Sequence, residues 1–381
     1  MAHRCAVVGI GQTKHAKSRA DLSMAGLVRE AALRALEDAE MTWKDVDAIV
    51  IGKAPDSFEG VMMPELYLAD ALGATGKPIM RVHTAGSVGG STAIVATHLV
   101  QSGIHERVLT VAYEKQSEGD ATWGIGGGRS GSVGAGGYFA PHIRAYIDRS
   151  GAPEHIGWKV AVKDRLNGCK NPYAHLHLAD ITMEKVRDSP MVWDPVRRFE
   201  SCPSSDGAGA MVLTSEAVAD RATKPVAWVH ATAVRSEMLQ IPGRDPVNPL
   251  GGRQCSADVY AQAGITDPIR DVDVAEIYVP FSWYEPMWLE NLGFAAEGEG
   301  WRLVDAGETE IGGKMPINPS GGVLSSNPIG ASGMLRFLEA ALQVRGLAGE
   351  HQVEGARTAV GHAYGGGAQF FAMWVVRDTK P

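Results

Sequence analysis

Apolar positions along the chain recur with two periods, and the two alternate in a fixed order. Residues 5–9 (CAVVG) form a short unbroken apolar run, the mark of a buried strand. Leu27, Val28, Ala31, Ala32, Ala35 and Leu36 then return at i, i+3 and i+4 spacing. That spacing predicts an amphipathic helix, with Asp21 ahead of it as the cap. Residues 45–52 (DVDAIVIG) read as the next strand. At 82–91 (VHTAGSVGGS) the pattern breaks into small residues, and Ala93, Ile94, Ala96, Thr97 and Val100 resume a helical spacing. This predicts a tight elbow opening onto a helix, where backbone can approach a ligand and free N–H groups aim at it. Residues 107–113, apolar on both faces, form a further strand.

The second half repeats the order. A helix at 257–264 precedes a strand at 271–278 (DVDVAEIY), which echoes 45–52. Residues 329–333 (IGASG) open a helix through Leu335, Leu338, Ala341 and Leu342, and strands follow at 358–360 and 370–376. Helix, strand, elbow, helix and strand thus occur twice, which predicts two similar α/β halves, residues 1–225 and 226–381. Residues from about 115 to 200 read as a loop-and-helix domain inserted in the first half, of which 140–200 is the part richer in charge and His. The glycine-rich stretch 124–137 is either a linker or a substrate-side loop, and its flanking Trp123, Tyr138 and Phe139 favour the loop.

Composition narrows the function. Hydrophobic residues at 45% and charged residues at 21% are ordinary for a soluble globular chain. A net charge of −8 argues against nucleic acid or an anionic membrane as the main partner. No apolar run approaches the roughly 18 residues of a membrane span, and the N-terminus reads as a strand and not as a signal peptide. Cys5, Cys169, Cys202 and Cys255 are widely spaced without a CxxC pair, which suits the cytoplasm and suggests no metal. Gly9-Ile10-Gly11 lacks the third glycine and the downstream acid of a dinucleotide loop. The elbow itself offers Thr84, Ser87 and Ser91 but no Cys.

Four ordered motifs resemble the thiolase superfamily, in its sterol-carrier-protein thiolase-like branch. Asn318-Pro319-Ser320-Gly321-Gly322 with Asn327-Pro328-Ile329-Gly330-Ala331-Ser332-Gly333 is similar to the family's NPSGG…GHPxGATG. Residues 202–213 resemble its CPxSDGAAAxVL strand, 276–281 its oxyanion-hole stretch, and Gly365-Gly366-Gly367 its terminal glycines. The resemblance covers nearly the whole chain and implies a five-layer αβαβα fold.

The resemblance also implies where catalytic side chains would stand, and there this chain departs. Gly86 matches the acyl-accepting Cys, Asn327 the activating His, Ala363 the second Cys and Tyr278 the oxyanion-hole Asn or His. Glycine cannot form an acyl-enzyme. What arrives instead is phenol: Tyr278, and Tyr364 beside Ala363, flanked by His362. These tyrosines are either core residues or an acid/base pair, since a phenol both donates and accepts a proton. His362 either orients Tyr364 or packs. Two phenols without a nucleophile resemble the thiolase-like lyases (aldolases) of steroid side-chain degradation. That resemblance implies retro-aldol cleavage of a β-hydroxyacyl-CoA of the 17-hydroxy-20-carboxyl-CoA type to a ketone and propionyl-CoA. Gly86, Ser87, Asn327 and Gly330 are then candidates to hold the thioester and enolate oxygens, with no cofactor beyond the substrate's own CoA. It further implies a homodimer, with 107–113 as the candidate edge strand, within a heterotetramer containing an OB-fold partner protein. The alternative is a non-catalytic subunit that binds acyl-CoA or lipid and organises a partner enzyme.

Overall fold

The computed structural model describes residues 3–54, 56, 60–119, 134–239 and 241–381. Nine strands make its large sheet: β1 (Cys5–Gln12), β2 (Ala48–Lys53), β3 (Ile79–Val82), β4 (Arg107–Lys115), β5 (Asp206–Ser215), β6 (Ala227–Ser236), β7 (Val274–Glu276), β8 (Thr358–Gly365) and β9 (Phe370–Arg377). They lie in the order β3-β2-β4-β5-β1-β6-β9-β8-β7. The first five and the last four strands join only at a short seam, where Ala6 pairs Trp228 and Val7 pairs Ala227.

Helices sort onto these two half-sheets by the faces they bury. Helix α1 (Met24–Asp38) lays Leu27, Val28, Ala31, Ala32, Ala35 and Leu36 on the outer face of β1, β5 and β4. Helix α2 (Val88–Gln101) and helix α3 (Ile329–Arg345) pack on each other between the half-sheets and are buried nearly all round; α2 is largely apolar, whereas α3 also buries Arg336, Glu339 and Gln343. Helix α4 (Leu250–Ala263) covers β6 and β9 from outside. The five layers expected from the motifs are therefore present. At the centre a β-carbon on Gly89 would stand 2.3 Å from the Met334 backbone nitrogen, and one on Gly333 would stand 2.8 Å from Gly90 N. Only glycine lets α2 and α3 close to backbone contact there.

Several sequence expectations shift. Ser23, not Asp21, caps α1 by accepting from Gly26 N at 3.1 Å; Asp21 is instead engaged by Arg19. Gly9 and Gly11 face α1, where a β-carbon would stand 2.2 Å from the carbonyl oxygens of Ala35 and Ala31, so they serve close packing and no dinucleotide. Strand β4, apolar on both faces, is interior, flanked by β2 and β5. Its composition reflects burial by helices on both sides, and the edge of its half-sheet is β3, paired only to β2. Residues 120–133, most of the glycine-rich stretch, lie outside the described residues, while Gly134–Ser150 is helical. Among the described residues no helix is long and apolar enough to cross a membrane.

Candidate active site

Beyond β3 the chain turns through Thr84–Gly86, with Ala85 in the left-handed region at φ 50°, and enters α2. The elbow's hydroxyls satisfy one another. Ser87 Oγ donates to the Thr84 carbonyl at 2.7 Å and Thr84 Oγ1 donates to Ser91 Oγ at 2.8 Å. Ser87 is fully buried behind the turn, so it offers no side-chain group to a ligand. Gly86, half-buried, instead forms the inner surface of the elbow and lines the cavity. A β-carbon there would stand 3.9 Å from the Tyr278 hydroxyl and 3.2 Å from the Tyr364 carbonyl.

Tyr278 stands two residues past the end of β7. The 271–278 pattern predicts a longer strand, but the ladder stops at Glu276 because side chains claim the next amides. Ile277 N donates to Asn318 Oδ1 at 2.8 Å and Tyr278 N to His362 Nδ1 at 3.4 Å. The carbonyl of Tyr278 accepts from Trp288 Nε1 at 2.9 Å. Its phenol is thus set by a bend fastened on both sides. Tyr364 comes from β8, where alternation turns Tyr364 and His362 to one face and Ala363 to the other. Ala363 packs its methyl against Gly90 and Gly333, away from the phenols. The Tyr364 ring stacks on Tyr284 and meets Trp288, Phe139 and Tyr278 edge-on.

Asn327 stands one residue ahead of the Pro328 cap of α3, with its backbone N–H on Ser205 Oγ at 3.1 Å. Its Oδ1 accepts from Ser332 Oγ at 2.7 Å and from the Tyr278 hydroxyl at 3.5 Å; its Nδ2 donates to Cys202 Sγ at 3.2 Å.

Gly86, Tyr278, Asn327 and Tyr364 meet on the wall of one cavity of about 120 Å³, completed by Cys202, Phe139, Phe281, Ile329 and Gly365. The other candidates stand behind that wall. His362 is fully buried, its ring parallel to Tyr364 at 6.5 Å between centroids, and burial lowers its pKa to about 3. It is a neutral acceptor for the Tyr278 amide. Gly330 faces the Tyr113 carbonyl and Ala54, where it seats α3 on the sheet. Three wall residues escape the sequence reading. Cys202, read with a structural strand, lies before β5 and faces the cavity. Phe139 was read only as a flank of a substrate-side loop and Phe281 only as the end of the 276–281 motif, neither as a wall residue.

The electrostatics are those of a neutral site. Burial pushes both phenols well above their ordinary range, so each is protonated at neutral pH. Desolvation is the largest influence on each phenol. Burial likewise pushes the Cys202 thiol up to about 11. Among the described residues no group of three or more His, Cys, Asp or Glu could hold a metal ion. The wall can thus donate, accept and relay protons next to a bound carbonyl, without a nucleophile at the elbow.

Residues 232–377 match the family of thiolase C-terminal domain-like sequences. Sterol carrier protein 2 of Homo sapiens is 31% identical over 399 residues, spanning 97% of this chain and 72% of its own. The chain belongs to the thiolase superfamily. Within it, the chain falls in the branch of the sterol-carrier-protein-2 thiolases. An acetyl-CoA acetyltransferase of Methanothermobacter thermautotrophicus is also 31% identical, over 95% of this chain and 96% of the relative. Among solved structures, the Ltp2-ChsH2(DUF35) aldolase superposes with a TM-score of 0.86 at 27% identity, over 98% of each chain. The superfamily thus spans, among the relatives of this chain, both acyl transfer and aldol chemistry.

Proposed function

We propose that this thiolase-superfamily chain is a carbon–carbon lyase that cleaves a tertiary β-hydroxyacyl-CoA, of the steroid side-chain type, to a ketone and propionyl-CoA. The observation that carries the reading is the pairing of two phenols, 5.3 Å between ring centroids, beside a glycine in a mostly apolar cavity. The reaction needs one proton moved from the β-hydroxyl to the α-carbon. The β-hydroxyl proton passes to a phenol oxygen as the Cα–Cβ bond breaks, and that bond's electron pair becomes the thioester enolate. A phenol proton is delivered to the α-carbon, and the proton taken from the β-hydroxyl replaces it on the phenol pair, so the two side chains end as they began. Since burial holds both phenols protonated, each gives a proton as it takes one, and no standing phenolate is required. Asn327 Nδ2, whose partner Cys202 is a weak acceptor, is the donor for the enolate oxygen. The likeness to an aldolase supports this reading; the transferases among the relatives weigh the other way, and Gly86 answers them.

The working assembly is a cytoplasmic homodimer joined along the free edge of β3, with an OB-fold partner. Met80 on β3 and Met62, Met63, Leu66 and Tyr67 near it are exposed, which fits a buried interface. The aldolase structure pairs Ltp2 with ChsH2(DUF35) in its name, which supports a partner here. A non-catalytic acyl-CoA-binding subunit is the other outcome; phenols turned away from the elbow would favour it, and the Tyr278 hydroxyl, 3.9 Å from where a β-carbon on Gly86 would stand, speaks against it.

The test is incubation with 2-(1-hydroxycyclopentyl)propanoyl-CoA, with and without the partner. Cyclopentanone and propionyl-CoA in equal amounts support the lyase. Binding without cleavage in both cases overturns it.

A further inference from the structure

The lyase reaction builds negative charge on a thioester oxygen, yet every side chain on the cavity wall is uncharged. A charge stands directly behind that wall. Arg165, in the helix His155–Lys170, is only 2% exposed. Its Nη1 donates to the Leu324 carbonyl, and its Nη2 donates to the carbonyls of Ser201 at 2.8 Å and Phe199 at 3.3 Å. Its Nε is buried without a hydrogen-bond partner. The guanidinium thus meets oxygens but no counterion. The other buried arginines among the described residues each face a carboxylate, Arg336 that of Glu276 and Arg345 that of Asp38. Around Arg165 the acids are engaged elsewhere. Asp164 and Glu285 share Lys163, at 3.3 and 2.6 Å, and Glu200 accepts from Arg197 N and Ser282 Oγ. Burial lowers the Arg165 pKa only to about 10, so the side chain is charged at neutral pH.

Burying a cation without its counterion is costly, and the place where this chain does so is specific. Ser201 directly precedes Cys202, and Leu324 stands three residues before Asn327; the side chains of Cys202 and Asn327 meet on the wall at 3.2 Å. Other charges near the wall cancel locally: Arg336 is paired with Glu276, and Glu114 with Lys53. A unit charge in a poorly screened interior acts across several ångströms, whatever rotamers the wall side chains adopt. We infer that Arg165 is the fixed countercharge of the site, favouring an anion in the cavity over the neutral thioester from which it forms. It touches no reacting atom; it is already in place when the charge develops, so nothing has to reorganise. The inference rests on the lyase reading only for the identity of that anion, the enolate.

Two ligands of like shape that differ by one charge read this field without turnover. Carboxymethyl-CoA carries a carboxylate in place of the enolate, and carbamoylmethyl-CoA is its neutral amide. Both are titrated by calorimetry at pH 7.5 into the full chain with its partner. Arg165→Met is expected to weaken carboxymethyl-CoA by about 10-fold or more and carbamoylmethyl-CoA by less than about threefold. Arg165→Lys keeps the charge and loses the fork, and should stay within about threefold of wild type for both. A loss shared equally by the two ligands shows an arginine that merely ties wall segments together, and overturns the proposal. So does a selective loss as large in Arg165→Lys as in Arg165→Met, or a wild type that does not bind carboxymethyl-CoA. Should Arg165→Met fold poorly, Arg165→Gln, neutral but still a donor to the carbonyls, is read with the same pair. On 2-(1-hydroxycyclopentyl)propanoyl-CoA the neutral variants should lower kcat by about 10- to 100-fold, with KM within about threefold of wild type. A protein that never cleaves this probe ends the lyase reading, while the ligand pair decides the role of Arg165 separately.

Discussion

The rings of Tyr278 and Tyr364 meet edge to face, their centroids 5.3 Å apart, although their positions lie 86 residues from each other and on different strand ends. One phenol reaches the cavity past the end of β7, the other from within β8. Tyr278→Phe and Tyr364→Phe each delete a hydroxyl and keep the ring. Each is expected to lower turnover of the β-hydroxyacyl-CoA probe by roughly 10²–10⁴-fold. The double variant should be little worse than the weaker single, since the two act as a unit. Melting temperatures near wild type make the comparison valid; both singles within about threefold of wild-type turnover would reduce the phenols to core residues.

No covalent intermediate is expected. The elbow's hydroxyls are tied to one another and Gly86 has no side chain, so intact-mass spectra after substrate exposure should match the unmodified protein. Gly86→Cys should not create thiolase activity, because no base adjoins the new thiol: Asn327 is neutral and His362 stands behind the wall. A stoichiometric acyl adduct on the wild-type chain would falsify the mechanism.

His351 Nε2 pairs with Glu339 Oε2 at 2.9 Å, both nearly fully buried. Burial pulls the imidazole pKa down, but the Glu339 carboxylate outweighs it and the net direction is up. A raised folded-state pKa contributes stability that is complete below the ordinary histidine value and is lost as pH rises through the folded value. The difference in melting temperature between wild type and His351→Gln should therefore be large at pH 6, where breaking a buried pair costs roughly 3 kcal/mol, and shrink toward pH 9. A difference that grows with pH would show that the pair carries no charge.

Assembly along β3 predicts sedimentation at twice the mass of the chain. Met80→Asp sets a charge on the exposed side of that edge and should shift the protein to monomer at low micromolar concentration. Equal sedimentation of the two proteins would move the interface elsewhere.

The layers of the fold were legible because burial writes itself into composition: α1 shows one apolar face, α2 is largely apolar, and β4 is apolar on both sides. The same burial misled at β4, since a strand covered by helices and a strand covered by a second subunit look alike in sequence. Tyr278, Tyr364, Asn327 and Gly86 were legible as departures at motif positions. Other features depend on contacts across long separations. Asn318 ends β7 from 41 positions away, and Cys202 faces the cavity because its Sγ meets Asn327, 125 positions on. No local pattern encodes either.

The backbone contact of α2 with α3 at Gly89 and Gly333 has an evolutionary consequence. It fixes the spacing of the two elbows from behind, so the residues on their inner surface carry little of the fold's stability. A lineage can then exchange a nucleophile for a glycine, or an imidazole for an amide, without dismantling the scaffold. A β-carbon at position 86 would meet backbone at 3.2 Å and one at position 89 at 2.3 Å, so substitution should be punished harder three residues past the elbow.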